Sequence, residues 1–213
     1  MMKAEALITH EGKRFAIESV EVPEPGPDQI AVRTHYSGVS IGTEFALIRS
    51  KISWGPFPIC TGYMGTGVVE GVGAEISNFK VGDSVYFRGG EGITLDGKPV
   101  SSATGAHCSL VVLDPNTTHG AAHVPSGVDM ETASMFVMPA VGLYGVDMAN
   151  PRMGQTVVVY GCGLIGLGVV ASCVHRGCRV IAIDLDERRL EIARSFGADH
   201  TIDGSQIDIG EAM

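Results

Sequence analysis

Two hydrophobic rhythms divide the chain. Up to about residue 128, apolar positions recur in short alternating runs cut by glycine and proline. Residues 4–8 and 15–20 read as strands, with a turn at Glu11-Gly12-Lys13. The stretch Val22-Pro23-Glu24-Pro25-Gly26-Pro27 is stiff and poor in N–H donors, so it reads as a connector. Residues 30–35 alternate as a strand, 36–43 form a Gly/Ser loop, and 44–50 read as one or two helical turns. Residues 68–70, 84–87 and 108–113 are further strands. Val81-Gly82-Asp83 reads as a turn, and 89–105 as a flexible Gly/Ser loop. Short strands at this spacing predict a small, irregular β barrel.

From residue 129 the period lengthens. Asp129 is placed to cap a helix through 136, and Pro139 to open a second through 148. After Pro151 and Gly154 comes the apolar run 157–160, then a glycine cluster, then an apolar segment stopped by Arg176-Gly177. A β-branched run over 179–183 ends on Asp184. Residues 187–196 predict a helix with Leu190, Ala193 and Phe196 on one face and Gly197 at its end, and 200–202 a third strand. The expected architecture is a β-rich domain over 1–138 followed by a partial α/β domain over 139–213. The second carries a β-α-β-α-β order and no internal repeat is visible.

The glycine cluster carries the chemistry. Gly161-Cys162-Gly163-Leu164-Ile165-Gly166 is a G-x-G-x-x-G between a strand and a helix. In such a turn Gly161 allows the sharp exit from the strand, Gly163 lets a pyrophosphate approach the backbone, and Gly166 lets helix and strand lie close. The helix start at Leu164 and Ile165 offers free N–H groups to phosphate. Asp184, at the end of the next strand, is placed to accept from a ribose hydroxyl and to disfavour a 2′-phosphate. Arg188 and Arg189 follow one turn later and soften that preference; they read first as solvated. The expected cofactor is therefore NAD rather than NADP, with Gly161, Gly163, Leu164, Ile165, Gly166, Asp184 and Arg189 around it. Residues 156–174 hold no charge and are long enough to cross a bilayer. Their β-branched start and clustered glycines fit a buried βαβ unit better.

Composition narrows the function classes. Of 213 residues 45% are hydrophobic and 18% charged, a globular mixture. A net charge of −9 argues against a broad nucleic-acid surface. The first fifteen residues hold no long apolar run of the signal-peptide kind. Cys60, Cys108, Cys162, Cys173 and Cys178 form no C-x-x-C and read as reduced thiols, so the default location is cytoplasmic. His35, His107, His119 and His123 read as loop or solvent histidines rather than a metal cluster.

Taken in order, residues 22–27, 37–44, 67–70, 79–85, 124–128 and 154–202 resemble the medium-chain dehydrogenase/reductases, the zinc-type alcohol dehydrogenase superfamily. The resemblance implies a GroES-like catalytic domain, a Rossmann domain, and hydride transfer between NAD(H) and an alcohol or carbonyl substrate. It also implies departures. Ser40 stands where the family has a zinc-binding cysteine, Gly62-Tyr63-Met64 replaces Gly-His-Glu, and Met138-Pro139 stands at the third ligand's place. The closely spaced cysteines of the structural-zinc lobe are absent between Phe87 and Cys108. Zinc is not expected, because serine, tyrosine and methionine are poor zinc donors. Thr43 matches the family's relay hydroxyl and Glu44 the acid beside it, while Tyr63 can donate a phenolic proton. Ser40 reads as a turn residue rather than a nucleophile.

The family's chains run past the point where this sequence stops. The chain is therefore expected to be part of a longer oxidoreductase, with residues 157–160 at an exposed sheet edge and any pairing of protomers made through the absent half. The second function class is a non-catalytic nucleotide-binding or interaction module. No membrane or nucleic-acid partner is expected.

Overall fold

The computed structural model describes residues 1–49, 51–53, 55–102 and 105–205. Ser50, the expected end of the first helix, lies outside the described residues. The chain divides into two compact units, Met1–Met135 and Phe136–Met213, against an expected division after residue 138.

In the first unit, β1 (Met2–Thr9) and β2 (Phe15–Val22) pair antiparallel along their whole length. Val22 belongs to this hairpin rather than to the connector. It pairs with Met2 and is fully buried, so the break comes at Pro23, the first residue without an N–H. β3 (Ile30–Ser37) also runs longer than its alternation suggests, and takes in Tyr36 and Ser37. It pairs with β5 (Gly65–Val72) across two register shifts. Between them lie α1 (Ile41–Ile48) and the short β4 (Ile59–Cys60). Thr43 thus sits in the first turn of a helix and not in a loop.

β6 (Ser84–Phe87) follows. The stretch expected to be a flexible loop contains β7 (Thr94–Leu95), β8 (Lys98–Pro99) and β9 (Ser101–Ser102). Ile93 and Val100 pin it, since both are buried in the core. β10 (Leu110–Leu113), β11 (Ala121–His123) and α2 (Met130–Ala133) complete the unit. α2 is short, and the Asp129 carboxylate caps it by accepting the Thr132 N–H at 2.8 Å. The strands form two sheets, in the orders β8-β7-β2-β1-β4-β9 and β10-β3-β5-β6-β11. Ile8, Val20, Val32, Val69, Val85, Phe87 and Leu110 fill the space between their inner faces.

The second unit opens with α3 (Val137–Ala149), which ends at Asn150 in the left-handed region, φ 46°. β12 (Thr156–Tyr160), α4 (Leu164–His175), β13 (Arg179–Asp184), α5 (Glu187–Ser195) and β14 (His200–Asp203) follow. The three strands are parallel in the order β12-β13-β14. α3 packs on α4 through small residues. A Cβ on Gly142 would lie 2.4 Å from the Ile165 carbonyl oxygen, and one on Gly168 2.7 Å from Pro139 Cα. Leu190 and Ala193 of α5 are buried as their spacing predicts, but Phe196, the C-cap, is 46% exposed. Among the described residues β12 pairs only with β13, which leaves its other edge open. The uncharged stretch 156–174 is a strand, a turn and a helix, and no helix among the described residues is long and apolar enough to cross a membrane.

Candidate functional site

The glycine turn and Asp184 form one structure in the second unit. Gly161 leaves β12 with φ +87°, a conformation that side chains rarely adopt. A Cβ on Gly166 would lie 1.8 Å from the Gly161 carbonyl oxygen, so α4 approaches the turn as closely as glycine allows. Gly163 is the opposite case: a Cβ there would meet nothing within 4 Å. It caps α4, and the first backbone bond of the helix runs from Leu167 N–H to its carbonyl at 2.8 Å. Leu164 and Ile165 occupy the first turn, where backbone N–H groups have no partner within the helix.

Asp184 lies at the C-terminal end of β13 and is 8% exposed. Its Oδ1 accepts the N–H groups of Leu185 at 2.8 Å and Asp186 at 2.9 Å, and its Oδ2 that of Cys162 at 2.5 Å. Burial pushes its pKa up, but these three amides and the Arg189 guanidinium outweigh it and hold the carboxyl below the usual range. Arg189 Nη1 stands 3.8 Å from Asp184 Oδ2, with Arg189 about half exposed. A cavity of about 460 Å³ opens at this point, lined by Tyr160, Gly161, Ile183, Asp184, Leu185 and Arg189. The seven residues read from the sequence as a cofactor site are thus carried by one turn, the helix start after it, and the end of the next strand with its following helix. A carboxylate in a cavity, open space at Gly163 and a helix start fit the adenosine and phosphate groups of a dinucleotide. Cys162 is fully buried, and all five cysteines are free.

The first unit holds a second constellation, and it includes a residue that sequence reasoning misplaced. His107 stands in the irregular segment before β10, as a loop histidine would, but it does not face solvent: it is 8% exposed. Its Nε2 lies 2.9 Å from Glu44 Oε2 and its Nδ1 2.9 Å from Ser37 Oγ. Glu44, 5% exposed, also accepts the Ser40 N–H at 2.8 Å. Burial raises its pKa, but the His107 imidazole, the Ser40 N–H and the Thr61 hydroxyl together bring it below the ordinary value. Glu44 therefore faces inward as an ionised acceptor. Thr43, beside it, is half-buried, as is Tyr63 on the segment after β4. Tyr63 lies near Tyr86, whose phenol burial pushes up to about 12.

The positions matched to zinc ligands do not fit that ion. Ser40 is buried at the start of α1, Tyr63 is a half-buried phenol, and Met64 is a fully buried thioether. Among the described residues no three His, Cys, Asp or Glu side chains come together as a metal-holding group. His123 stacks on Phe79 with ring centroids 4.7 Å apart, and its Nε2 lies 3.0 Å from the Asn78 carbonyl oxygen.

Comparison with known proteins bears on both units. Two family models match, "Alcohol dehydrogenase GroES-like domain" over residues 26–126 and "Zinc-binding dehydrogenase" over 165–213. Alcohol dehydrogenase 1 of Emericella nidulans is 27% identical over 207 residues, which cover 90% of this chain and 59% of its own. Sorbitol dehydrogenase of Gallus gallus is 28% identical over 214 residues, covering 92% and 60%. The chain thus spans about 60% of the length of these relatives. Among solved structures, an alcohol dehydrogenase zinc-binding domain protein from Burkholderia ambifaria superposes with a TM-score of 0.86 at 21% identity, covering 99% of this chain and 66% of its own. A zinc-binding dehydrogenase from Sinorhizobium meliloti bound to NADP gives 0.83 at 22%, covering 100% and 65%. At these identities the superpositions show a shared fold.

Proposed function

We propose that this chain, which belongs to the medium-chain, zinc-type alcohol dehydrogenase-like family, supplies the catalytic domain and the adenosine-binding half of an NAD-dependent, zinc-independent oxidoreductase. Its substrate class is a small alcohol or carbonyl compound. The observation that carries this reading is the Asp184 carboxylate, ionised and set in a cavity beside the glycine turn.

In this reading the backbone at Gly161, Gly163, Leu164, Ile165 and Gly166 receives the pyrophosphate. Asp184 accepts from the ribose hydroxyls, and its charge disfavours a 2′-phosphate. Arg189 flanks the adenosine side. A nicotinamide cofactor held there would supply the hydride chemistry, its oxidised form accepting hydride from an alcohol and its reduced form donating hydride to a carbonyl. The chain's own residues hold and move the accompanying proton. Thr43 and Tyr63 carry the hydroxyls suited to donate or accept it, and the ionised Glu44 fixes the turn on which Thr43 stands. Ser40, Tyr63 and Met64 stand where the family's zinc ligands would, and their chemistry supports a zinc-free site.

The chain's length relative to its relatives supports a longer parent protein, whose further strands would cover the open edge of β12. The free, buried thiols suit a reducing cytoplasmic location. Alcohol-dependent reduction of NAD by the intact protein, with metal analysis of the same sample, tests the assignment. Turnover without zinc is the expected result, and stoichiometric zinc overturns the zinc-free part. A second reading, a nucleotide-binding module without turnover, predicts NAD binding with no alcohol-dependent reduction.

A further inference from the structure

We propose that His107 is a positioning residue for the two segments that carry Thr43 and Tyr63; the inference rests on the oxidoreductase reading above. One side of the imidazole leads to Thr43. Nε2 meets Glu44 Oε2 at 2.9 Å, and Glu44 Oε1 accepts the Ser40 N–H at 2.8 Å. That bond ties the ring to the start of α1, and Thr43 lies in the first turn of that helix. The main chain at His107 and the packing of its ring lead to Tyr63. The His107 N–H donates to the Thr61 carbonyl and the Ala106 N–H to that of Gly62, both at 3.0 Å. Gly62, at φ +89°, lies so close that a Cβ on it would stand 2.7 Å from His107 Cγ. Tyr63 is the next residue. The ring thus ties down the helix start that carries Thr43 through Glu44 and packs against Gly62, the residue before Tyr63.

The hydrogens have a direction. An ionised carboxylate only accepts, so Nε2 carries the hydrogen given to Glu44. In the neutral ring Nδ1 is then an acceptor, and the Ser37 hydroxyl donates to it. Ser37 lines a cavity of about 410 Å³ that also touches His107, Val39, Leu7 and Ile17. Glu5 and His35 line the same cavity as the ring, and three further titratable groups lie beside it. Glu44 faces it from α1. The Cys60 thiol of β4 lies 3.7 Å from the His107 carbonyl oxygen, and Cys108 follows in the chain. Burial raises both thiols, so neither brings a charge at neutral pH. A histidine that merely filled space would need neither the carboxylate nor the serine.

Two variants of the intact protein separate these roles. His107→Phe keeps a ring and removes both side-chain bonds; His107→Gln keeps an amide donor for Glu44. Positioning predicts that His107→Phe lowers kcat by roughly ten-fold or more, the loss expected from one hydrogen bond to a charged group. The KM for NAD stays unchanged, and His107→Gln recovers part of the rate. Wild-type kcat in His107→Phe would overturn the proposal. Nitrogen-15 NMR of the wild type supplies an arm independent of turnover and of whether the phenylalanine variant folds. It should show the Nε2–H tautomer at His107, and the Tyr63 ring signals should move in His107→Gln. The Nδ1–H tautomer, or unmoved Tyr63 signals, would overturn the proposal. The expected tautomer and moved signals in a protein with no turnover would uphold the bracing role and remove only the oxidoreductase reading.

Discussion

The Asp184 carboxylate accepts the backbone N–H of Cys162 at 2.5 Å. The acid that ends β13 and the glycine turn that follows β12 are therefore joined directly, and a ligand held by one is held against the other. Asp184 bears a negative charge at neutral pH, and Arg189 stands beside it. The account predicts tighter binding of NAD than of NADP. Asp184→Asn should narrow or reverse the preference, because it removes the charge that repels a 2′-phosphate and leaves Arg189 in place. Dissociation constants for both cofactors, measured on both proteins, check this.

Two glycines of the same turn should respond in opposite ways. Gly166→Ala places a Cβ 1.8 Å from the Gly161 carbonyl oxygen, a backbone atom that cannot swing away. The expected cost is about 1–3 kcal/mol of stability, seen as a lowered melting temperature. Gly163→Ala meets nothing within 4 Å, and its φ of −72° suits alanine. Its melting temperature should hold while NAD binding weakens, because the new methyl group enters the space through which a pyrophosphate approaches. Thermal unfolding and calorimetry on both variants separate the two effects.

Glu44 makes stability depend on acid. Burial alone would raise its pKa, but its hydrogen bonds and the neighbouring imidazole depress it below the ordinary carboxylate value. A depressed carboxylate contributes stability above its unfolded pKa of about 4.3 and loses it as pH falls through the lower folded value. Glu44→Gln leaves donors facing an amide and should cost about 1–3 kcal/mol at neutral pH. The gap between wild type and variant should shrink below about pH 4. Denaturant unfolding across that range measures it, and a constant gap would refute the assignment.

Tyr63→Phe removes a phenolic hydroxyl from a half-buried side chain and leaves its ring. If Tyr63 donates the proton, turnover falls roughly a hundred-fold, within the usual range for a general acid. NAD affinity and melting temperature should stay near wild type. A variant with full turnover would remove Tyr63 from the chemistry.

The nucleotide half was legible because its signals are local. Gly161, Gly163, Gly166 and Asp184 sit at fixed offsets along one βαβ unit, and the chain order alone places them together. The Ser37–His107–Glu44 cluster was not legible, because its members come from β3, from α1 and from the segment before β10. Only pairing between distant strands brings them within hydrogen-bonding reach. One signal pointed that way: Glu44 lies among Phe45, Ala46, Leu47 and Ile48, and an acid in so apolar a helix needs a buried partner. Thr43 reads as a loop residue because Ser40 and Gly42 resemble turn residues, yet the Glu44 carboxylate, accepting the Ser40 N–H, stabilises the helix start there. The stretch 89–105 reads as flexible from its glycines, and only the burial of Ile93 and Val100 shows that residues 89–102 are pinned; residues 103 and 104 lie outside the described residues.

The most direct test of the central claim is calorimetric titration of NAD into the intact protein and its Asp184→Ala variant, with circular dichroism on both. The account predicts saturable binding to the wild type and at least a ten-fold loss in a variant that keeps its fold. Equal affinity in the two proteins would contradict it, because the acid at the end of β13 would then have no part in holding the cofactor.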